Sequence, residues 1–415
     1  MSCMKIKLQY LIITLLSFGL FRTTQGATIT WTNAVSGDWS VPANWSPNQV
    51  PGANDTALIN TPGSYSVSVS DNESVSNLIL GAASGTLTLN IVSGTFTVHG
   101  TGSDSAKSVL VISGGVVSGA GSILVGGPLN WSAGNISAEV QCSGGNINVS
   151  SSSSVSSGGE LINNGNLTWT PNSGPRTGQG SVISNATSGV ISVALNGNTL
   201  DSYVYGGAAA FYNAGQINVS GSGQSGSITD PFFNTGTLSI QSGTLNITAG
   251  YSSTNGTLSF GLGSLTSFGQ LAISGPIAMN GTLSAIANGY TPRTGDSFPL
   301  ITYGSQTGIF NTFNLPPRAT WSVNYAPTTF SINVDNVTSP FLILSAVQPP
   351  LPITSGFELL LLGPAGSNYT IQATTSLHPV HWTALTNFTT THTSFYFTDT
   401  GATNQANRFY RAYLQ

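Results

Sequence analysis

The sequence predicts an all-β chain: a right-handed parallel β-solenoid followed by a small antiparallel β-sandwich. Three observations carry this. A short phrase, glycine followed by apolar-polar-apolar alternation, recurs at Gly134–Ala138, Gly145–Val149, Gly165–Trp169, Gly189–Val193, Gly215–Val219, Gly236–Ile240, Gly243–Ile247 and Gly256–Phe260. Each copy has the pattern of a glycine turn leading into a strand with one buried side. From Gly145 to Gly236 the glycines lie 20, 24, 26 and 21 residues apart, the interval of one turn of a stacked coil. Finally, only 5% of residues are Asp, Glu, Lys or Arg, against about 25% in ordinary domains. Uncharged Ser, Thr and Asn side chains stack in register along a parallel sheet without repulsion.

The chain divides into 1–26, 27–60, 61–262, 263–336 and 337–415. Residues 1–26 read as a secretory signal peptide. Lys5 and Lys7 precede an apolar run from Leu8 to Phe21, and Thr24-Gln25-Gly26 supplies the small residues of a cleavage site. No later run is long and apolar enough to insert in a membrane. Without the three basic residues of this segment, 6 basic and 13 acidic residues remain, a net charge of −7. Nucleic acid and anionic lipid are therefore poor partners. Cys142 is then the one remaining cysteine, so stability must come from hydrogen-bond ladders and apolar rows rather than an internal disulfide.

Residues 27–60 read as an N-terminal cap. They contain Trp31-Thr-Asn-Ala-Val-Ser-Gly-Asp-Trp39-Ser-Val-Pro-Ala-Asn-Trp45-Ser-Pro47, then Val50-Pro-Gly-Ala-Asn-Asp-Thr-Ala-Leu-Ile59. This stretch resembles the start of secreted bacterial repeat proteins of the autotransporter and adhesin type, built from autotransporter-associated β-strand repeats. The resemblance implies a cap and first coil here, followed by a β-helix with an adhesive role. An open solenoid end needs bulky plugs, so Trp31, Trp39 and Trp45 are expected to pack inward; a sugar-stacking platform is the other reading.

At roughly 22 residues per coil, residues 61–262 should form about nine coils, a core on the order of 40 Å long. Val109–Ile112 and Ile123–Val125 read as strands buried on both sides. Two inserts, Pro171–Gly180 and Gly197–Ala210, should leave the coil as loops. The second carries Asp201, Tyr203 and Tyr205, the residues of this stretch best suited to ligand binding. Residues 256–317, with Gly256–Phe260, Gln270–Gly275, Gly281–Ala285, Gly289–Tyr303 and Gly308–Pro316 in succession, resemble the closing section of the same repeat family. Residues 263–336 therefore read as terminal coils and cap, with Asp296 expected to accept backbone N–H groups in its turn. In 337–415, strand-like runs at Phe341–Val347, Phe357–Leu362, Tyr369–Thr374, Trp382–Leu385, Ser394–Phe397 and Arg408–Leu414 suggest an immunoglobulin- or fibronectin-like module. It resembles modules found at the ends of secreted bacterial repeat proteins.

Enzymatic β-helices that cleave polysaccharides require clustered carboxylates, with calcium and a base in lyases. The solenoid acids are Asp71, Glu73, Asp104, Glu139, Glu160, Asp201 and Asp230, and only Glu139 and Glu160 are spaced to stack. His378, His381 and His392 read as loop residues rather than zinc ligands, and Cys142 as a buried hydrophobe. The Asn-X-Ser/Thr triplets at Asn135, Asn166, Asn218 and Asn246 read as structural amides stacked in side-chain ladders, with glycosylation the other reading. No cofactor fingerprint occurs. The expectation is a secreted or cell-surface structural or adhesion protein without catalytic activity, partnered by extracellular polysaccharide or a surface protein. The alternative is a polysaccharide-binding or polysaccharide-cleaving β-helix.

Overall fold

The computed structural model describes residues 26–81, 83–169, 174–197, 199–337, 341–343, 356–363, 365–392 and 394–414. The leader-like residues 1–25 and the proline-rich 349–352 lie outside this set.

Each coil contributes up to three short strands. Tyr65–Val69, Glu73–Val75 and Asn77–Leu80 are successive strands on a first, second and third face. Leu87–Ile91, Thr95–Val98 and Thr101–Asp104 stack on them in parallel. The alternation read from the sequence becomes a core column: on the first face Val67, Leu89, Leu110, Leu129, Ile147 and Leu167 follow one another in register. These residues are buried, and each aliphatic side chain removed from water stabilises the stack by about 1.5–3 kcal/mol. The solenoid has about 10 turns. It exceeds the nine expected within 61–262 because parallel pairing continues through Thr282–Ala287 to Thr312–Asn314.

The recurring phrase does not mark one face. The copies at 145, 165, 189, 215, 236 and 256 lie on the first face. Those at 134 and 243 lie on the second, pairing with Val116–Val117 and with Ser225–Ile228. Both faces need the same strand pattern, so local sequence does not separate them. The strands expected to be buried on both sides are also corrected. Ser108–Ile112 and Ser122–Val125 alternate, and Leu124 points outward, 43% exposed. Among the described residues no layer covers the outer side of these faces as helices cover a parallel α/β sheet.

At the N-terminus Trp45–Ser46 runs antiparallel to Thr30 and Trp31, covering the sheet edge. At the other end Thr329–Val337 pairs antiparallel with Ser297–Thr302 and with Ala319–Tyr325. Phe310, Phe313 and Phe330 pack as a plug, with Phe310 and Phe330 edge to face at 5.3 Å. Asp296 accepts from Arg293 N at 3.0 Å in its turn, as expected.

The C-terminal residues form two three-stranded antiparallel sheets. One contains Phe341–Ile343, Phe357–Leu362 and Ser394–Asp399; the other contains Asn368–Thr374, Thr383–Thr389 and Phe409–Leu414. Rings join them: Phe388 stacks on Phe395 at 3.8 Å and Phe357 on Tyr410 at 5.5 Å. All six predicted runs contain strand, with 344–347 outside the described residues.

Candidate functional site

The cap tryptophans offer no surface to a sugar. Trp31, Trp39 and Trp45 are at most 2% exposed. Trp45 meets Trp31 at 5.1 Å and Trp39 at 4.8 Å, both edge to face, and Trp39 also meets Phe96. Trp45 Nε1 donates to Trp39 O at 2.8 Å. The platform reading is thus overturned, because all three rings are buried in the core of the first coils.

The two inserts stack one above the other on the second face, Arg176 beside Ser202 and Thr177 beside Tyr203; residues 170–173 lie outside the described set. Within the second insert the expected ligand residues separate. Tyr203 and Tyr205 face solvent, 44% and 38% exposed, whereas Asp201 is fully buried. Asp201 Oδ1 accepts from Thr229 N at 2.5 Å and from Thr229 Oγ1 at 2.6 Å, while Oδ2 accepts from Asp230 N at 3.2 Å. Asp201 therefore caps the turn of the next coil, and as a ligand-binding residue it is corrected.

Beside it lies a partner the sequence did not suggest. Asp230 is also fully buried; its Oδ1 accepts from Thr177 Oγ1 at 2.9 Å, and its Oδ2 has no partner. Thr177, Asp201 and Asp230 come from three successive coils. Burial raises the Asp201 pKa to about 6 against the lowering effect of its donors. Burial, then the charge of Asp201, raises Asp230 to about 7. With three donors on Asp201 and one on Asp230, the arrangement favours an ionised Asp201 beside a protonated Asp230. Neither oxygen pair is open to a substrate.

Asp104 repeats this use of a carboxylate. Its Oδ1 accepts from Gly126 N and from Gly127 N, the latter at 3.1 Å, and burial raises its pKa to about 6. Cys142 is buried close by, and burial pushes its thiol well above the ordinary range. That removes it as a nucleophile at neutral pH.

Glu139 and Glu160 do lie in register on adjacent strands of the third face. Gln141 Nε2 donates to Glu139 Oε1, and Glu160 is raised by partial burial and then by the charge of Glu139. Among the described residues no group of three or more His, Cys, Asp or Glu is placed to hold a metal ion. His378, His381 and His392 are exposed on loops.

Sequence reasoning expected amide ladders at the sequon residues and missed the asparagines that form a buried one, at the corner between the third and first faces. Asn163, Asn185, Asn213 and Asn234 are at most 1% exposed. Each Nδ2 donates to the next Oδ1, at 2.8, 2.7 and 2.8 Å. The second hydrogen of Asn213 reaches Thr237 O at 3.2 Å. The ladder also explains a repeat glycine: a Cβ on Gly189 would lie 2.3 Å from Asn163 O and from Asn185 Oδ1. The available signal was an Asn two residues before the repeat glycine, in Asn163-Asn-Gly165, Asn213-Ala-Gly215 and Asn234-Thr-Gly236. The sequon residues lie elsewhere: Asn135 accepts from Ser154 Oγ and Ser156 Oγ, and Asn246 donates to Gly226 O.

The outer surfaces differ in kind. On the third face Leu58, Ile79, Leu124, Ile162, Tyr212 and Phe233 belong to one outward row. Tyr212 and Phe233 stack at 4.9 Å. On the first face the outward row from Asn130 is Asn148, Thr168, Ser192, Asn218, Ser239, Ser259, Ser284 and Asn314, with Ser239 and Ser259 covered. No protein-family model matches this chain, and a search of curated proteins finds no relative.

Proposed function

We propose that the protein is a secreted or cell-surface β-solenoid rod with a structural or adhesive role and no catalytic activity. The observation that carries this reading is the inward placement of three carboxylates, two of them fully buried and one half-buried. Asp104, Asp201 and Asp230 turn inward and accept backbone or threonine donors from neighbouring coils, while the first face presents a neutral row of hydroxyls and amides. Catalysis on a polysaccharide needs carboxylates within reach of the scissile bond, and these three serve stacking instead. The leader-like residues 1–26 support export, and the cap motif supports kinship with adhesin-type repeat proteins. A second reading, recognition of an extracellular glycan without cleavage, is favoured by the exposed rings of Tyr203, Tyr205 and Tyr212.

The test is incubation of residues 27–415 with neutral and acidic polysaccharides, with and without Ca²⁺, reading new chain ends and pull-down together. The expected result is no new chain ends under any condition. Release of chain ends that disappears in a Glu139→Gln, Glu160→Gln double variant would overturn the non-catalytic reading.

A further inference from the structure

The outward row of the first face is interrupted by a trough of about 340 Å³, lined by Thr168, Ser192, Ala194, Asn218, Ser220 and Gln241 with backbone between them. Its cause is side-chain size. Ser192, Ala194 and Ser220 are small and exposed, and they lie between the larger Thr168, Asn218 and Gln241. One end is closed by a fixed wall: Gln241 Nε2 donates to Ser239 Oγ at 2.5 Å, and Asn288 Nδ2 donates to Gln241 Oε1 at 2.6 Å.

The trough presents neutral hydrogen-bonding groups that are not taken up by protein partners among the described residues. Asn218 Oδ1 accepts from Gln216 Nε2 at 2.7 Å, which turns the side chain and leaves its N–H₂ without a partner among the described residues. The hydroxyls of Thr168, Ser192 and Ser220 are likewise unpaired there. Among the described residues no charged side chain lines the trough. Its three polar steps, Thr168, Ser192 and Asn218, follow one another in register, at the roughly 4.8 Å strand spacing of a parallel sheet. That rise is comparable with one residue of an extended β-linked pyranose chain. The Ala194 methyl can meet the C–H face of a sugar ring while the hydroxyls and amide meet its polar edge.

We propose that this trough binds an extended, uncharged polysaccharide, laid along the solenoid axis with about one sugar ring per coil. The proposal rests on the extracellular reading above and narrows its recognition form to neutral chains. The absence of carboxylate or cation from the lining gives a uronic acid chain no partner, and on the side away from Gln241 the row continues through the exposed Asn148 and the half-buried Asn130.

The experiment is isothermal titration of residues 27–415 with cellohexaose, xylohexaose, mannohexaose and hexagalacturonate, and with the trimer of whichever neutral hexamer binds. Variants are Ser192→Lys, which fills the trough from an exposed position, and Asn218→Ala, with circular dichroism to verify folding. The expected result is saturable binding of a neutral hexamer, weaker for its trimer, and weakened at least tenfold by both variants. The proposal is overturned if no neutral hexamer binds, if hexagalacturonate binds more tightly, or if both variants bind as the parent does. It is also overturned if Tyr212→Ser abolishes binding while Ser192→Lys leaves it intact, since the aromatic third face would then be the site. None of these outcomes bears on chain cleavage, which alone decides the non-catalytic reading.

Discussion

Replacing Asn213 by alanine removes the central rung of the buried amide ladder. In the parent chain Asn213 accepts from Asn185 Nδ2 at 2.7 Å and donates to Asn234 Oδ1 at 2.8 Å and Thr237 O at 3.2 Å. Asn185 Nδ2 keeps Gly189 O and Gln216 O, each at 3.2 Å, so its loss is small. Asn234 Oδ1 loses its donor in a fully buried place, which costs about 1–3 kcal/mol. The amide-sized void adds to this, giving a total of about 2–4 kcal/mol. Asn234→Ala should cost less by about 1 kcal/mol or more, because Asn213 Nδ2 would still reach Thr237 O. Asn213→Asp should be the worst at neutral pH, since an ionised carboxylate accepts but cannot donate and would face Asn234 Oδ1. The assay is urea unfolding by circular dichroism, joined to amide exchange on Thr237, which reports the local stack rather than the whole rod. If Asn213→Ala costs no more than Asn234→Ala, or Asn213→Asp is as stable as the parent at pH 7, the ladder does not contribute as argued.

Two further outcomes follow from the buried groups. Asp201 and Asp230 have folded pKa values of about 6 and about 7, above the unfolded value of about 3.9. The native chain therefore holds more protons than the unfolded one between these values. This contribution to stability is fully present below about pH 4 and falls as pH rises toward and through 7. Asp230→Asn should flatten that decline by on the order of 2–4 kcal/mol between pH 4 and pH 8 and be the more stable protein at pH 8; parallel urea-midpoint profiles for parent and variant would contradict the paired-carboxylate account. Trp39→Ala should cost about 3–5 kcal/mol through lost packing on Trp45 and Phe96. Normal stability in that variant, with glycan binding lost, would restore a binding role for the cap.

The fold was legible because strand alternation is a local property. Tyr65–Val69 or Leu87–Ile91 can satisfy it in one way only, with one side in a core. The C-terminal strands were legible for the same reason, aided by turn residues between them. The sites were less so. Asp201, Tyr203 and Tyr205 share one insert and look alike as polar loop residues, yet Asp201 turns in and the tyrosines turn out. Asp230 is 29 residues from Asp201, and their proximity depends on how many residues each intervening loop absorbs.

Composition and period, read along the chain alone, determine that this protein stacks short strands into a neutral rod, since strand pitch and charge density need no partner to be read. Which face each copy joins, and which Asn meets which, depends on register between coils of unequal length. Gly236–Ile240 and Gly243–Ile247 carry nearly the same letters and lie on different faces. Only closure of each coil onto the one before it, through backbone hydrogen bonds to residues some 18 to 30 positions away, decides that placement.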